Sequence, residues 1–142
     1  MASIFLVDDL PLERQQIADH LKKAGYTVVS VEGNTADALF EESRLWLDAN
    51  DDVLDVLVLD IAYDHHLLGG ITLYHRLEEA AYAARWRHLI ICTQLVSSAQ
   101  ERDFNKLEDF MTHRRIPMTN LIGKTTTMLD DLLTRINELI ST

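Results

Sequence analysis

The sequence predicts an α/β fold in which five strands alternate with five helices and pair as one parallel sheet. Two observations predict it. Short apolar runs alternate along the chain with longer segments whose apolar residues lie at helical spacing. The short runs are apolar at consecutive positions, which is typical of parallel strands that are buried on both faces by helices.

Five short apolar runs are the predicted strands. Several are rich in β-branched residues, which favour extended backbone. The runs cover residues 4–7, 26–31, 55–60, 88–93 and 119–123. Because β–α–β crossovers are right-handed, this alternation predicts a doubly wound sheet with the flavodoxin-like strand order 2-1-3-4-5.

The segments between the strands carry the signals of helices. Pro11 and Gly25 stand where proline and glycine are favoured at a helix start and a helix end. Asn34 or Thr35 is a candidate cap for the second helix. Pro117 prevents the fourth helix from continuing. The last three helices are predicted over residues 71–84, 98–114 and 126–140.

Apolar residues at helical spacing support four of these helices. In the first two helices they are Leu12, Ile17, Leu21 and Ala24, then Ala38, Leu39, Leu45 and Trp46. In the last two helices they are Phe104, Leu107, Phe110 and Met111, then Met128, Leu129, Leu132, Leu133 and Ile136.

Length and composition predict one cytoplasmic domain spanning residues 1–142. A chain of 142 residues can bury a core without disulfides. It has no apolar run near the roughly 18 residues of a membrane span, and its first residues lack the basic segment of a signal peptide. The single cysteine, Cys92, fits a reducing compartment and is expected to be a buried strand residue.

The net charge of −10 argues against direct nucleic-acid binding, because phosphate groups are neutralised by Lys and Arg. It favours a cation or a basic partner surface instead. The adjacent His65 and His66 follow Asp64 in a polar loop and are expected to be exposed to solvent rather than to bind metal.

Polar side chains follow the predicted strands at the edge where parallel strands end. Asp8 and Asp9 follow the first strand, Asp60 and Thr93 end the third and fourth, and Lys124 follows the fifth. Two adjacent carboxylates repel each other by roughly 1 to 4 kcal/mol near a protein surface. Ligands bind at this edge of open α/β sheets, so the three carboxylates predict a site for a hard divalent cation such as Mg²⁺. The simpler alternative is that one aspartate caps the next helix.

With these residues in place, the chain resembles the receiver domain of bacterial two-component response regulators over essentially its whole length. The segment VDDLPLERQQIADHLKKAGYTV is similar to the family's first strand and helix. VLVLD carries the phospho-acceptor position at Asp60, LIICT carries the switch hydroxyl at Thr93, and LIGK carries the family's lysine at Lys124.

The resemblance implies a Mg²⁺-dependent transfer of a phosphoryl group to Asp60 from a histidine kinase or a phosphotransfer protein. The protein would not be an enzyme in the ordinary sense, because it would catalyse only its own phosphorylation and dephosphorylation. The residues implied are Asp60 as acceptor, Thr93 and Lys124 on the phosphoryl group, and Asp8, Asp9, Asp60 and the Ala62 backbone carbonyl on the metal.

The sequence ends after the fifth predicted helix, which predicts a stand-alone receiver without an output domain. Signalling would then use contact with a downstream protein. The resemblance also implies a homodimer through the face formed by the fourth helix, the fifth strand and the fifth helix. Ala62 and Leu95 occupy positions that influence the hydrolytic water in the family, and their apolar side chains predict slow self-dephosphorylation.

Some positions depart from the family's pattern. Gln94 stands where a small residue is usual, Leu121 where an aromatic is common, and Thr125 where proline follows the lysine; the loop over residues 61–70 is also longer. These departures favour an alternative, a phosphorylation-independent pseudo-receiver that acts as an interaction module. A third hypothesis, a flavodoxin-like cofactor binder, needs a phosphate-binding loop after the first strand, where DDLPLE would repel a phosphate.

Overall fold

A five-stranded parallel sheet forms the centre of the computed structural model, which describes residues 2–61, 69–94 and 101–141. Its strand order is β2-β1-β3-β4-β5, with every neighbouring pair parallel. This confirms the predicted α/β fold and its order 2-1-3-4-5. The strands are β1 (Ser3–Val7), β2 (Thr27–Ser30), β3 (Leu54–Asp60), β4 (Trp86–Thr93) and β5 (Leu121–Gly123).

Helices cover both faces of the sheet. The helices are α1 (Pro11–Lys23), α2 (Ala36–Ala49), α3 (Gly69–Glu79), α4 (Glu101–His113) and α5 (Met128–Ile140). Alternate strand residues point to opposite faces, so the core has two parts. One packs α2, α3 and α4 against the sheet, and the other packs α1 and α5 against it. None of the helices in the described ranges combines the length and apolar composition that a membrane span needs.

Three helices end in the same backbone motif, which has one residue in the left-handed region. At the end of α1 this residue is Gly25, with φ of 97°, as its sequence position predicts. After α3 and α4 the motif uses Ala81 (φ 65°) and Arg115 (φ 56°), residue types that rarely adopt this conformation. The predicted third helix over residues 71–84 was therefore wrong at its end. The helix stops at Glu79, and a short 3₁₀ helix follows over Ala83–Arg85.

Other differences from the predicted elements come from how the helices sit on the sheet. Leu12 and Leu45 fit helical spacing but are 73% and 53% exposed, whereas Leu47 is buried. The side chain of Thr35, not that of Asn34, caps α2 by accepting a hydrogen bond from the Ala38 N–H at 3.0 Å. β2 is an edge strand with exposed and half-buried residues, so it is not buried on both faces as the central strands β1, β3 and β4 are.

The last strand begins later than predicted, because a 3₁₀ turn over Met118–Asn120 precedes it. Asn120 in this turn is buried, and its side-chain amide donates a hydrogen bond to the Leu89 carbonyl at 2.9 Å. The Nε of Arg135 in α5 donates to the Asn120 side-chain oxygen at 2.7 Å. These contacts align β5, so that the residue after it reaches the carboxyl edge of the sheet.

Candidate functional site

Three carboxylates meet where β1 and β3 end. The two strands are neighbours, with Val7 in register with Leu59, so the residues that follow lie side by side. Carboxylate oxygens of Asp8, Asp9 and Asp60 all lie within 4.8 Å of one another. Asp8 and Asp60 are buried and Asp9 is half-buried. The sheet thus brings together the three aspartates that the sequence placed at this edge.

Local hydrogen bonds orient Asp8 at the start of α1. One of its carboxylate oxygens accepts from the Leu10 N–H at 2.8 Å, and its carbonyl accepts from the Arg14 guanidinium at 2.9 Å. Leu10 is the N-cap residue and provides no side-chain cap. The alternative of a helix-capping aspartate is therefore right only in part, since Asp8 satisfies one backbone N–H at the entrance to α1 and also faces Asp60.

Lys124 lies between two carboxylates at this edge. Its Nζ is 2.8 Å from Oδ1 of Asp60 and 3.0 Å from Oε2 of Glu13. The Lys124 side chain is only 8% exposed, and its backbone N–H donates to the Thr93 carbonyl at 2.8 Å. Burial by itself lowers the pKa of Lys124, but the carboxylates of Asp60 and Glu13 outweigh burial and raise that pKa above its ordinary value. The ammonium therefore keeps its charge.

Glu13 is a member of this site that the sequence analysis missed. It lies in the first turn of α1, where its carboxylate contacts both Asp8 and Lys124. Burial alone would raise the pKa of Glu13, but the hydrogen bond with Asp8 and the charge of Lys124 together lower it. Helical spacing contains a signal for this position, because Glu13, Ile17 and Leu21 are four residues apart and so share one side of α1.

The aspartate cluster holds more negative charge than its surroundings stabilise. The pKa of Asp8 rises to about 9, first because the side chain is buried and then because of its hydrogen bond with Glu13 and the charge of Asp60. A bound dication would relieve this repulsion. Carboxylate oxygens are ligands that Mg²⁺ prefers, at about 2.1 Å from the ion, so the donor type and the spacing of these three residues fit Mg²⁺.

Thr93 lies at the same edge, at the end of β4, and is fully buried. Its neighbour Cys92 is in register with Asp60 and is buried as expected, and burial raises the pKa of the thiol. Ala62, Leu95, His65 and His66, to which the sequence analysis assigned roles or exposure, lie outside the described residues.

Comparison with known proteins identifies the architecture. No profile of a protein family and no curated protein sequence matches the chain. Solved structures do match. The receiver domain of the Francisella response regulator 1452 is 20% identical with a TM-score of 0.65, over 99% of this chain and 98% of that one. A response regulator receiver protein from Pseudomonas putida is 18% identical with a TM-score of 0.66, over 99% and 95% of the two chains.

A response regulator from Thermotoga maritima gives the same result, at 17% identity and a TM-score of 0.62 over 100% of this chain and 99% of that one. The chain has the receiver-domain fold. Identities this low show the fold alone.

Gly70 allows the receiver fold to close tightly around the end of β3. A Cβ at this position would lie 2.5 Å from the Asp60 carbonyl oxygen and 2.8 Å from the Ile61 Cα, both backbone atoms. The Gly70 N–H also donates to the Ile61 carbonyl at 2.7 Å. A side chain here would therefore displace Asp60. The greater length of the loop over residues 61–70 was noted from the sequence, but the role of Gly70 was not predicted.

The residues that depart from the pattern expected from the resemblance are not members of the aspartate cluster. Gln94 and Thr125 are exposed, and Leu121 is half-buried against the core on the side of α2, α3 and α4. Leu121 is therefore part of the core packing.

Proposed function

We propose that this chain is a phosphorylatable receiver in which Asp60 accepts a phosphoryl group from a histidine kinase or a phosphotransfer protein in a Mg²⁺-dependent reaction. The observation that carries the proposal is the position of Asp60. Its carboxylate lies 2.8 Å from the Lys124 ammonium and beside the carboxylates of Asp8 and Asp9. This arrangement combines a nucleophile, a fixed positive charge and a set of metal ligands.

In the proposed reaction, a carboxylate oxygen of Asp60 attacks phosphorus as the bond from phosphorus to the donor's histidine nitrogen breaks. The electron pair of that bond stays on the imidazole, and the product is an acyl phosphate. Lys124 neutralises charge on the phosphoryl oxygens, and the Thr93 hydroxyl donates a hydrogen bond to one of them. When bound, Mg²⁺ would be held by Asp8, Asp9, Asp60 and the Ala62 carbonyl, and would supply further neutralisation of the phosphoryl charge.

The output of this reaction is a change in protein contacts. Thr93 can donate to a phosphoryl oxygen only when the group is present, and this differential contact can shift the balance between two arrangements of the region from β4 to α4. We include in the proposal that the protein acts in the cytoplasm, binds an unidentified downstream protein, and dimerises through the face formed by α4, β5 and α5. It would catalyse no reaction other than its own phosphorylation and dephosphorylation.

The test is intact-protein mass spectrometry after incubation with acetyl phosphate and Mg²⁺. We expect wild-type protein to gain one phosphoryl group, and the variant Asp60→Asn and a Mg²⁺-free sample to gain none. Asp51→Asn is the matched control, because it removes the same charge from an exposed residue and should leave the reaction unchanged. An adduct that persists in Asp60→Asn would refute the assignment of the acceptor.

The alternative function is a phosphorylation-independent interaction module. One observation favours it, namely that Glu13 already contacts the lysine that a phosphoryl group would need. If neither acetyl phosphate nor a phosphorylated kinase modifies the wild-type protein at saturating Mg²⁺, this alternative replaces the proposal.

A further inference from the structure

We infer that Glu13 restrains phosphorylation of Asp60 by holding the Lys124 ammonium in the unphosphorylated state. This inference rests on the proposed function and assigns a regulatory role to a residue that the proposed reaction does not use. Glu13 would act through Lys124 and is therefore a positioning residue.

The first observation is the geometry of the shared ammonium. Lys124 Nζ is 3.0 Å from a Glu13 oxygen and 2.8 Å from an Asp60 oxygen, so it bridges the two carboxylates. The side chains of Lys124, Glu13 and Asp60 are 8%, 20% and 1% exposed. Water therefore screens this group only weakly, and charge interactions within it are strong.

The second observation is that the position of Glu13 is built into the fold. The helix that carries it begins at Pro11, and hydrogen bonds to Asp8 from the Leu10 N–H and the Arg14 guanidinium fix the entrance to that helix. One and two turns later, Ile17 and Leu21 are buried against the sheet. Glu13 thus faces the site because α1 is anchored on both sides of it, and its contact with Lys124 is not a chance contact of an exposed side chain.

The consequence concerns the charge that arrives with the phosphoryl group. An ammonium has three N–H donors and no more, and in the unphosphorylated site its donors face Asp60 and Glu13. A phosphoryl group on Asp60 brings about two negative charges that need those donors. The carboxylate of Glu13 competes for the ammonium and also repels the incoming anion. Both effects disfavour the phosphorylated state.

The variant Glu13→Gln tests this inference, because it keeps the shape and an acceptor oxygen while removing the charge. The measurement is the initial rate of adduct formation with acetyl phosphate, by intact-protein mass spectrometry, at Mg²⁺ concentrations shown by titration to saturate each variant. Saturation separates an effect on Lys124 from an effect on the metal ligand Asp8, which also contacts Glu13. We expect Glu13→Gln to react about three- to tenfold faster than wild type.

Two controls separate this role from a structural one. Asp19→Asn removes a charge from an exposed residue on the same helix and should leave the rate unchanged. In a Lys124→Gln background, Glu13→Gln should give a smaller gain than in the wild-type background, because only the repulsion of the incoming anion is removed and no ammonium is left to release. The free energy of unfolding of Glu13→Gln, measured in urea, should be lower than that of wild type, although Glu13→Gln is phosphorylated faster. A merely structural role would not raise the rate of a destabilised variant.

The outcomes separate this inference from the proposed function. An equal or slower rate for Glu13→Gln, with wild type phosphorylated on Asp60, overturns the inference and leaves the proposed function intact. A wild type that resists acetyl phosphate, together with a Glu13→Gln variant that reacts, supports the restraint, and the proposed function of the wild-type protein is then refuted if a phosphorylated kinase also fails to modify it. If neither protein forms an adduct, both the inference and the proposed function are refuted.

Discussion

Two buried polar clusters lie at the two ends of β5, and they differ in how their charges are matched. The Asn120 cluster, before the strand, consists of Asn120, Arg135 and the Leu89 carbonyl. The Lys124 cluster, after the strand, consists of Lys124, Asp60, Glu13 and Asp8. Each cluster includes one positively charged side chain, that of Arg135 or Lys124, which is 18% or 8% exposed and joins separate segments of the chain.

In the Asn120 cluster, the side-chain amide donates to one partner and accepts from the other, at 2.9 Å and 2.7 Å. Such a satisfied buried network contributes to stability. In the Lys124 cluster, several carboxylates share an ammonium, and burial, followed by the hydrogen bond with Glu13 and the charge of Asp60, raises the pKa of Asp8. The comparison teaches that matched buried polar groups hold this fold together, whereas an excess of one charge marks the place where a ligand of opposite charge is expected.

The largest effect is expected from removing the cation of the Lys124 cluster. Lys124→Gln leaves buried carboxylates without their partner, so the free energy of unfolding in metal-free buffer should fall by about 3 kcal/mol. Urea unfolding measures this loss, and added Mg²⁺ should recover part of it. Lys22→Gln, at an exposed position of α1, is the control and should change stability little. If Lys124→Gln is as stable as wild type, the buried carboxylates of the Lys124 cluster do not need the ammonium, and the argument that negative charge is in excess there is wrong.

The next effect concerns the Asn120 cluster. Asn120→Ala leaves the Leu89 carbonyl and the Arg135 guanidinium without their buried partner, and should lower the free energy of unfolding by about 2 to 3 kcal/mol. The rate of phosphorylation by acetyl phosphate should stay within about twofold of wild type, because this cluster makes no contact with Asp60 among the described hydrogen bonds. Asn105→Ala, at an exposed position of α4, is the control. If Asn120→Ala folds but is no longer phosphorylated, the Asn120 cluster does more than stabilise the fold, and its proposed difference from the Lys124 cluster is wrong.

The next prediction concerns the pH dependence of stability, which Asp8 should cause and which is smaller per pH unit than the effects above. Its pKa is about 9 in the folded protein against an ordinary 3.8, so the folded state holds a proton that the unfolded state has lost. Stability of the metal-free protein should therefore fall as pH rises from about 5 to about 8, by at most about 1.4 kcal/mol per pH unit.

The raised pKa of Lys124 and the lowered pKa of Glu13 change stability only outside that window, above 10.5 and below 4.5. Denaturant unfolding at several pH values checks the slope. Asp8→Asn should flatten it, and a slope that survives this substitution would show that another group is responsible.

The smallest effect on stability is expected from Thr93→Val, which keeps the shape of a buried strand residue. The free energy of unfolding should change by about 1 kcal/mol or less, and phosphorylation should proceed. The phosphorylation-dependent NMR shifts of α4 and β5 should shrink, because no hydroxyl is left to contact the phosphoryl group. Thr119→Val is the exposed control. Full-sized shifts in Thr93→Val would show that the switch does not use this hydroxyl.

Local patterns in the sequence predicted most of the fold. Apolar runs and helical spacing act over a few residues, so the strands, their order and most helices were predicted correctly. Gly25 predicted the end of α1 because glycine adopts positive φ without strain. The ends of α3 and α4 could not be predicted in this way, because Ala81 and Arg115 adopt the same conformation only under the constraint of the surrounding packing.

For the site, the sequence by itself determined which carboxylates, hydroxyl and lysine reach the carboxyl edge, because strand ends and strand order follow from local hydrophobic patterns. Only the tertiary structure decided the pairing of Glu13 with Lys124, which are 111 positions apart. It also decided the packing of Gly70 against Asp60 and the satisfaction of Asn120 by Arg135. The physical reason is that contacts between distant residues depend on how far each helix is rotated and shifted on the sheet, and the whole core sets that placement.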